Sequence, residues 1–90
     1  MNHDFDESTT KKAEEVAESF MRNNYQDIET IEIEDVYRNP MGGMSVEGIV
    51  NGQYHFVLGM DESDLTVQSI GESEGLPDKK EGCEEVICDY

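Results

Sequence analysis

Residues 39–60 read NPMGGMSVEGIVNGQYHFVLGM and carry the clearest signal of a β-sheet in the chain. It opens with the turn signal Asn39-Pro40, followed by two glycines, and a second turn signal, Asn51-Gly52, divides it in the middle. Proline has no N–H for a sheet ladder and glycine permits positive φ, so both clusters favour turns. After each turn, apolar residues recur at every second position, which is the period of a strand with one buried face. We therefore predict a β-hairpin with strands at residues 44–50 and 53–60.

The loop at Asn51 and Gly52 decides which side chains share a face. A two-residue type I′ loop would place Val46 on the side opposite Phe56, because a one-residue shift of register turns every side chain over. A three-residue loop, residues 50–52, with a left-handed Gly52 puts the apolar residues of both strands together. We predict this bulged loop. Its expected cross-strand pairs are Met44 with Leu58, Val46 with Phe56 and Gly48 with Tyr54.

Two further strands extend the hairpin. Residues 30–37 alternate isoleucine with glutamate, and a bulge near Glu34 and Asp35 would turn Val36 inward. A four-residue turn, residues 61–64, leads to a strand at residues 65–70. The pairs expected from that turn are Met60 with Leu65, Leu58 with Val67 and Phe56 with Ser69.

A helix precedes the strands, at residues 9–24. Its apolar residues recur at helical spacing along one stripe, namely Ala13, Val16, Ala17, Phe20 and Met21. Ser8, Thr9 or Thr10 can cap its start, and the asparagine pair at residues 23 and 24 can end it. Glu18 and Arg22 form an i,i+4 pair in the favourable order.

The predicted fold class is α+β, a two-layer domain with one amphipathic helix on a four-stranded antiparallel meander. We divide the chain into an acidic leader (residues 1–8), the α+β domain (9–71) and a flexible acidic tail (72–90). The sheet face away from the helix is polar, with Ile49 and Val57 as exceptions. Its expected members are Glu32, Glu34, Ser45, Glu47, Ile49, Gln53, His55, Val57, Thr66 and Gln68.

The charge restricts the class of partner. The chain holds 22 Asp and Glu against six Lys and Arg, a formal net charge of −16. Nucleic acid and anionic membrane surfaces would repel it, so neither is predicted as a direct partner. A cationic partner or a cation-rich cell wall is compatible. No apolar run reaches the roughly 18 residues of a membrane span. The polar start fits either a cytoplasmic protein or one whose export segment has been removed.

The sequence motifs do not indicate an enzyme. No P-loop, dinucleotide-binding or nucleophile-elbow pattern occurs, and we predict no catalytic residue, metal or cofactor. The turn at residues 61–64 begins like a calcium loop, but Ser63 and Leu65 occupy ligand positions. Glu32, Glu34 and Glu47 could crowd on the exposed sheet face and bind a divalent ion weakly. We predict instead an interaction face made of Met41, Ile49, His55 and Val57.

Both cysteines, Cys83 and Cys88, lie in the last eight residues. Their spacing differs from the C-x-x-C of redox and zinc motifs. A disulfide between them would close a six-residue loop and contribute roughly 2 kcal/mol. Two free thiols are the alternative, because a disulfide persists only in an oxidising compartment. Neighbouring acids disfavour a thiolate and therefore a thiol redox enzyme.

Residues 12–67 resemble a family of small uncharacterised lipoproteins of Gram-positive bacteria. The resemblance rests on a helix ending in Asn24-Tyr25, an acidic first strand, and the sequence NPMG at residues 39–42. It continues with GIVN at residues 48–51 and an aromatic strand around His55-Phe56. The Cys83–Cys88 tail is not a feature associated with this family, and the Asn51-Gly52 connection is shorter than is usual in it.

The resemblance implies a cystatin-like fold and a lipid-anchored location on the outer face of the cytoplasmic membrane, with the anchor outside these 90 residues. It implies no known activity. The expected function is therefore a non-enzymatic, monomeric, surface-tethered binding domain for an unknown protein or cell-wall component. An acidic cation-binding or wall-associated role is the alternative. Protease inhibition, by analogy with cystatins, is disfavoured because the inhibitory Q-x-V-x-G loop is absent.

Overall fold

One helix packs against one side of a four-stranded antiparallel sheet in the computed structural model, which describes residues 5–40, 42–72, 77–83 and 88. The elements in chain order are α1 (Glu7–Asn24), β1 (Ile31–Arg38), β2 (Met44–Val50), β3 (Tyr54–Met60) and β4 (Val67–Glu72). The sheet order is β1-β2-β3-β4, so each strand pairs with the next along the chain. This meander confirms the predicted α+β class. Helix α1 lies closest to β1 and β2.

Helix α1 starts two residues earlier than predicted because its cap is Asp6, not Ser8, Thr9 or Thr10. The Asp6 Oδ1 atom accepts a hydrogen bond from the Thr9 backbone N–H at 2.7 Å. A carboxylate here satisfies a free N–H of the first turn and lies at the positive end of the helix dipole. The helix ends at Asn24 as predicted, and the Glu18–Arg22 pair forms at 3.3 Å.

The core lies between the helix stripe and one face of the sheet. Ala13, Ala17, Phe20 and Met21 are buried, as the helical spacing predicts, and Val16 packs at the margin. The sheet contributes Val36, Met44, Val46, Val50, Phe56, Leu58, Met60 and Val67. The two small alanines let the helix backbone approach the sheet closely, and longer side chains from β2 and β3 fill the remaining space.

The bulge predicted in the first strand is present. The register of β1 against β2 shifts between Ile33 and Asp35, which pair with Gly48 and Glu47 respectively. The extra residue turns Val36 into the core, where it is 5% exposed, and leaves Asp35 at the surface. One inserted residue therefore reconciles an imperfect alternation with a single buried face.

The predicted register of the β2–β3 hairpin is wrong by two residues. Val50 pairs with Tyr54 and Gly48 pairs with Phe56, so the loop is residues 51–53 rather than 50–52. Both Asn51 and Gly52 have positive φ, the pattern of a type I′ turn, and Gln53 is the extra residue. A shift of two residues leaves every side chain on the same side of the sheet, so the apolar side chains still share one face.

Gly48 lies beneath an aromatic ring, but the ring belongs to Phe56 and not to Tyr54 as predicted. A Cβ atom added at Gly48 would approach the Phe56 Cζ atom and the Glu32 carbonyl oxygen to 2.7 Å each. Glycine is therefore required at this position because a neighbouring ring and a backbone carbonyl occupy the space of a side chain.

Asn51 joins the hairpin to the connection between α1 and β1. Its Oδ1 atom accepts hydrogen bonds from the backbone N–H groups of Glu29 (2.7 Å) and Thr30 (3.1 Å). Its Nδ2 atom donates to the Asp27 carbonyl at 2.9 Å. A turn residue thus also holds the entry to the first strand, which the turn signal alone did not indicate.

Strand β4 begins at Val67, two residues later than predicted, and the predicted pairs of Met60, Leu58 and Phe56 are wrong. Met60 pairs with Val67, Leu58 with Ile70 and Phe56 with Glu72. The loop is six residues long, 61–66, because Asp61 and Asp64 organise it with their own side chains. Asp61 Oδ1 accepts from the Ser63 N–H at 2.7 Å, and Asp64 Oδ1 accepts from the Thr66 hydroxyl at 2.7 Å.

Part of the predicted acidic tail, residues 77–83 with Cys88, is described by the structure and is hereafter called the C-terminal segment. It lies against the end of α1, where Tyr25 forms a bridge with Lys79. The Gln26 N–H donates to the Asp78 carbonyl and the Lys80 N–H donates to the Asn24 carbonyl, both at 2.8 Å. The last carbonyls of a helix lack partners within it, so a segment that supplies donors there is stabilised.

Candidate binding face on the outer side of the sheet

The outer face is the side of the sheet turned away from α1. Its side chains form three rows across the strands, as the register gives them. The rows are Glu32, Ile49 and His55; then Asp35, Glu47, Val57 and Gly71; then Tyr37, Ser45, Gly59 and Ser69. In the described part of the chain, no helix or strand packs over these rows. Among the described elements, this face is therefore left uncovered.

Three of the four residues predicted to form an interaction face meet on the outer face. Ile49 and His55 are direct cross-strand partners, and Val57 lies two positions further along β3. Val57 is 36% exposed and is the one large apolar side chain among the described residues that reaches this level of exposure. Met41 lies outside the described residues. The patch is therefore small and apolar, with its centre on β2 and β3.

Acidic side chains border this apolar patch along β1. Glu32 lies in the row of Ile49, and Asp35 lies opposite Glu47. The bulged Glu34 also reaches the outer face, where its Oε1 atom is 3.7 Å from His55 Nδ1. Glu32, Glu34 and Glu47 were predicted to crowd together, but each has a different neighbour, namely Ile49, His55 and Tyr37 respectively. Their common effect is a negative border beside the exposed Val57.

A tyrosine–carboxylate contact lies at the other end of the same face. The Tyr37 hydroxyl donates a hydrogen bond to the Glu47 carboxylate, and this bond raises the pKa of Tyr37 above its ordinary value of 10.0. Burial and the charges of Glu47 and Asp35 act in the same direction, whereas a hydrogen bond from Ser45 lowers the pKa. The phenol therefore stays protonated at neutral pH and serves as a donor, with no indication of a nucleophile.

Beyond Tyr37, the third row consists of the small residues Ser45, Gly59 and Ser69. Ser45 is 2% exposed, and its hydroxyl accepts a hydrogen bond from the Asn39 side-chain Nδ2 atom at 3.1 Å. A Cβ atom at Gly59 would overlap the Ser69 hydroxyl. Ser69 was predicted to face the core, and Thr66 and Gln68 were predicted on the outer face. Ser69 instead pairs with Gly59 on the outer face, because the loop is longer than predicted and Gln68 forms a bulge.

The acidic loop at residues 61–66 uses its carboxylates internally. Asp61 and Asp64 cap backbone N–H groups of the loop, and the bonds from Thr66 lower the pKa of Asp64 below its ordinary value. Within the described ranges, no group of three or more His, Cys, Asp or Glu residues is arranged to hold a metal ion. The calcium-like pattern therefore gains no support from the geometry.

The two cysteines form a disulfide, with their Cα atoms 5.5 Å apart. Cys83 is 5% exposed, and the backbone of Cys88 pairs with the buried side chain of Asn24. Asn24 Oδ1 accepts from the Cys88 N–H at 2.7 Å, and Asn24 Nδ2 donates to the Cys88 carbonyl at 3.3 Å. The disulfide thus belongs to the contact between the C-terminal segment and the helix. Val86 and Ile87 lie outside the described residues.

Sequence reasoning missed Asn24 and Asn51, whose side chains join distant parts of the chain. Both were read as stop or turn signals, because their spacing carries no mark of a long-range partner.

No protein-family model, curated protein or solved structure matches this chain. Among the described residues, no helix combines the length and apolar character needed to span a bilayer.

Proposed function

We propose that this protein is a non-enzymatic binding domain whose outer face docks a cationic protein segment. The observation that supports it is the apolar patch formed by the exposed Val57 and the half-buried Ile49 beside acidic β1 residues. An apolar contact bordered by charge is typical of recognition surfaces, since the apolar part contributes affinity and the charges select the partner. A formal net charge of −16 would speed the encounter with a basic partner.

The resemblance to Gram-positive lipoproteins adds a location to this proposal. We propose that the domain is held on the outer face of the cytoplasmic membrane through a lipid anchor. The disulfide supports an oxidising location, because such bonds are rare in the reducing cytoplasm. Metabolic labelling with radioactive palmitate tests the anchor on the product of the native gene. A product that carries no label and remains in the cytosolic fraction would exclude this part of the proposal.

The binding proposal is tested by titrating isotopically labelled protein with a peptide of lysines and aromatic residues, monitored by backbone amide shifts. We expect shifts at Ile49, His55 and Val57 that weaken with added salt, because exposed charges are screened beyond about 10 Å at 0.1 M salt. Glu32→Lys should weaken binding at least threefold. Glu15→Lys changes the net charge equally on the exposed side of α1 and should leave binding nearly unchanged.

Equal losses in Glu32→Lys and Glu15→Lys would show that general attraction, and not the outer face, binds the peptide. A titration without shifts on the outer face would exclude this surface as the site.

A further inference from the structure

We propose that Asn51 is a site of spontaneous deamidation that the folded protein suppresses. The reaction would proceed only when the contacts between the β2–β3 loop and residues 27–30, the entry to β1, open. Asn51 is the one asparagine of the sequence that is followed by glycine. Asparagine is among the thermally labile residues, and a following glycine has no side chain to hinder attack by its backbone nitrogen. The reaction does not depend on the proposed binding function.

Deamidation at this site needs water and no cofactor. The Gly52 backbone nitrogen loses its proton to the solvent and forms a bond with Asn51 Cγ. The Cγ–Nδ2 bond breaks, and the nitrogen takes up a proton and leaves as ammonia, so that a five-membered cyclic imide remains. Water then adds to one of the two imide carbonyl carbons and breaks the bond from that carbon to the Gly52 nitrogen, which yields aspartate or isoaspartate. One water molecule is consumed and one ammonia molecule is released.

Three hydrogen bonds fix the side chain that has to react. Asn51 Oδ1 accepts from the backbone N–H groups of Glu29 at 2.7 Å and Thr30 at 3.1 Å, and Asn51 Nδ2 donates to the Asp27 carbonyl at 2.9 Å. Nδ2 belongs to the leaving group, and Cγ is the atom that is attacked. Ring closure requires this side chain to rotate, and the rotation would break the bonds that hold it against the β1 entry.

The backbone of Asn51 also opposes ring closure. Its φ of 54° lies in the left-handed region, where ψ is positive as well. With a positive ψ, the Gly52 nitrogen is turned away from Asn51 Cβ about the Cα–C bond, so ring closure requires a large rotation about that bond. The rotation would break the hydrogen bond that closes the turn, from the Gln53 N–H to the Val50 carbonyl at 3.1 Å. The folded state therefore lacks the geometry from which the nitrogen can attack.

Either product would disturb the contacts that had protected Asn51. Aspartate retains the acceptor for the Glu29 and Thr30 N–H groups, but a carboxylate oxygen replaces the donor that faces the Asp27 carbonyl. Isoaspartate carries the main chain through Cβ, so the loop gains one backbone atom and no longer matches the pairing of Val50 with Tyr54. A transient opening of the hairpin is thereby converted into a permanent covalent change.

The test compares the rate of deamidation at Asn51 in the folded chain, in the urea-unfolded chain and in a synthetic peptide of residues 48–62. All three are incubated at the same mildly alkaline pH. Glutamyl endopeptidase then releases residues 48–62, which contain no other asparagine, and mass spectrometry measures the conversion of the amide to a carboxyl group. We expect the unfolded chain to react within about threefold of the peptide and the folded chain about a hundredfold more slowly, because several hydrogen bonds must open together.

A matched pair of variants at residue 29 tests the contacts of the Asn51 side chain. Glu29→Pro removes the N–H that donates to Asn51 Oδ1 and should accelerate deamidation of the folded chain about fivefold or more. Glu29→Ala keeps this N–H and should change the rate less than about twofold. Circular dichroism establishes that both variants remain folded.

Hydrogen exchange at the Glu29 amide, measured by NMR on the native chain, provides a second measurement that needs no variant. Exchange at this amide requires the bond to Asn51 Oδ1 to open. The open fraction obtained from exchange should agree within about threefold with the ratio of the deamidation rates of the folded chain and the peptide. This comparison decides the question if Glu29→Pro does not fold.

Three outcomes would overturn the inference. Deamidation of the folded chain at the rate of the peptide would show that the fold does not protect Asn51. Equal rates in folded Glu29→Pro and Glu29→Ala, or a folded-chain rate unrelated to the open fraction, would separate the reaction from the contacts at the β1 entry. A peptide and an unfolded chain that both remain unmodified would exclude Asn51 as a modification site. Each of these outcomes leaves binding by the outer face unaffected.

Discussion

Asn24 offers the sharpest test of how the C-terminal segment is held. Its buried side chain makes three hydrogen bonds, two with the Cys88 backbone and one to the Phe20 carbonyl at 3.0 Å. Asn24→Ala removes all three. A typical hydrogen bond contributes about 1 kcal/mol net, so the loss is about 3 kcal/mol. The better helix propensity of alanine returns about 0.6 kcal/mol. We therefore expect the free energy of unfolding to fall by about 2.5 kcal/mol.

The disulfide supplies the partner for a double-mutant cycle. Replacing Cys83 and Cys88 with serine opens the six-residue loop and should cost roughly 2 kcal/mol. Without the disulfide, the Cys88 backbone is less well held against Asn24. Asn24→Ala should then cost about 1 kcal/mol less in the serine background than in the native one, because neighbouring contacts are not additive.

Urea denaturation followed by circular dichroism measures each free energy. Asn23→Ala is the control, because the Asn23 side chain bonds only to Ser19 of its own helix and is exposed. It should change stability by no more than about 0.5 kcal/mol. The reasoning is refuted if Asn24→Ala behaves like Asn23→Ala. It is also refuted if Asn24→Ala costs the same with and without the disulfide.

Three further predictions concern the sheet and the helix start. Gly48→Ala should destabilise by about 1–3 kcal/mol in urea denaturation through overpacking, whereas Gly71→Ala, whose Cβ atom would lie in ordinary contact 4.0 Å from the Val57 carbonyl oxygen, should be nearly neutral. Asn51→Ala should cost about 2–3 kcal/mol through lost hydrogen bonds and a strained positive φ, and Asn51→Asp should cost less because it retains both acceptor contacts. Hydrogen bonds from Thr9 lower the pKa of Asp6 below its ordinary value of 3.8. The contribution of the Asp6 charge to stability is therefore present above pH 3.8 and is lost as the pH falls through the lowered pKa. The difference in urea midpoint between the native protein and Asp6→Ala should shrink over the same pH range.

Each of these three has a result that contradicts it. A stable Gly48→Ala would mean that the Phe56 ring moves freely. Equal losses in Asn51→Ala and Asn51→Asp would remove the role of the accepted hydrogen bonds. A constant difference between the native protein and Asp6→Ala from neutral pH down to strongly acidic pH would show that the charge of the cap contributes nothing.

The alternation of apolar residues predicted the faces of β2 and β3 correctly but not their register. Which side chains of a strand share a face depends on the sequence alone, because successive side chains alternate whatever the partner strand is. The pairing of residues between β2 and β3 depends on the loop that joins them, and a register change of two residues leaves each side chain on its original face. For this reason Phe56 rather than Tyr54 lies on Gly48, while both rings stay on the predicted side. The same principle explains why Ile49, His55 and Val57 share the outer face as predicted.

The errors in β4 have a different origin. The loop at residues 61–66 is longer than a standard four-residue turn because Asp61 and Asp64 bind backbone groups within it. Such local bonds compete with strand pairing and are not visible as periodicity. The resulting shift moved Ser69 to the outer face, where it pairs with Gly59.

The α+β class, the helix stripe, the β1 bulge and the faces of the central strands could all be predicted from the sequence. These properties follow from the periods of helix and strand, which each segment carries locally. The register of both hairpins and the place of the C-terminal segment depend on tertiary contacts and were seen only in the folded protein. The contacts of Asn24 with Cys88 and of Asn51 with the β1 entry join residues far apart in the chain, and no local pattern encodes such partners.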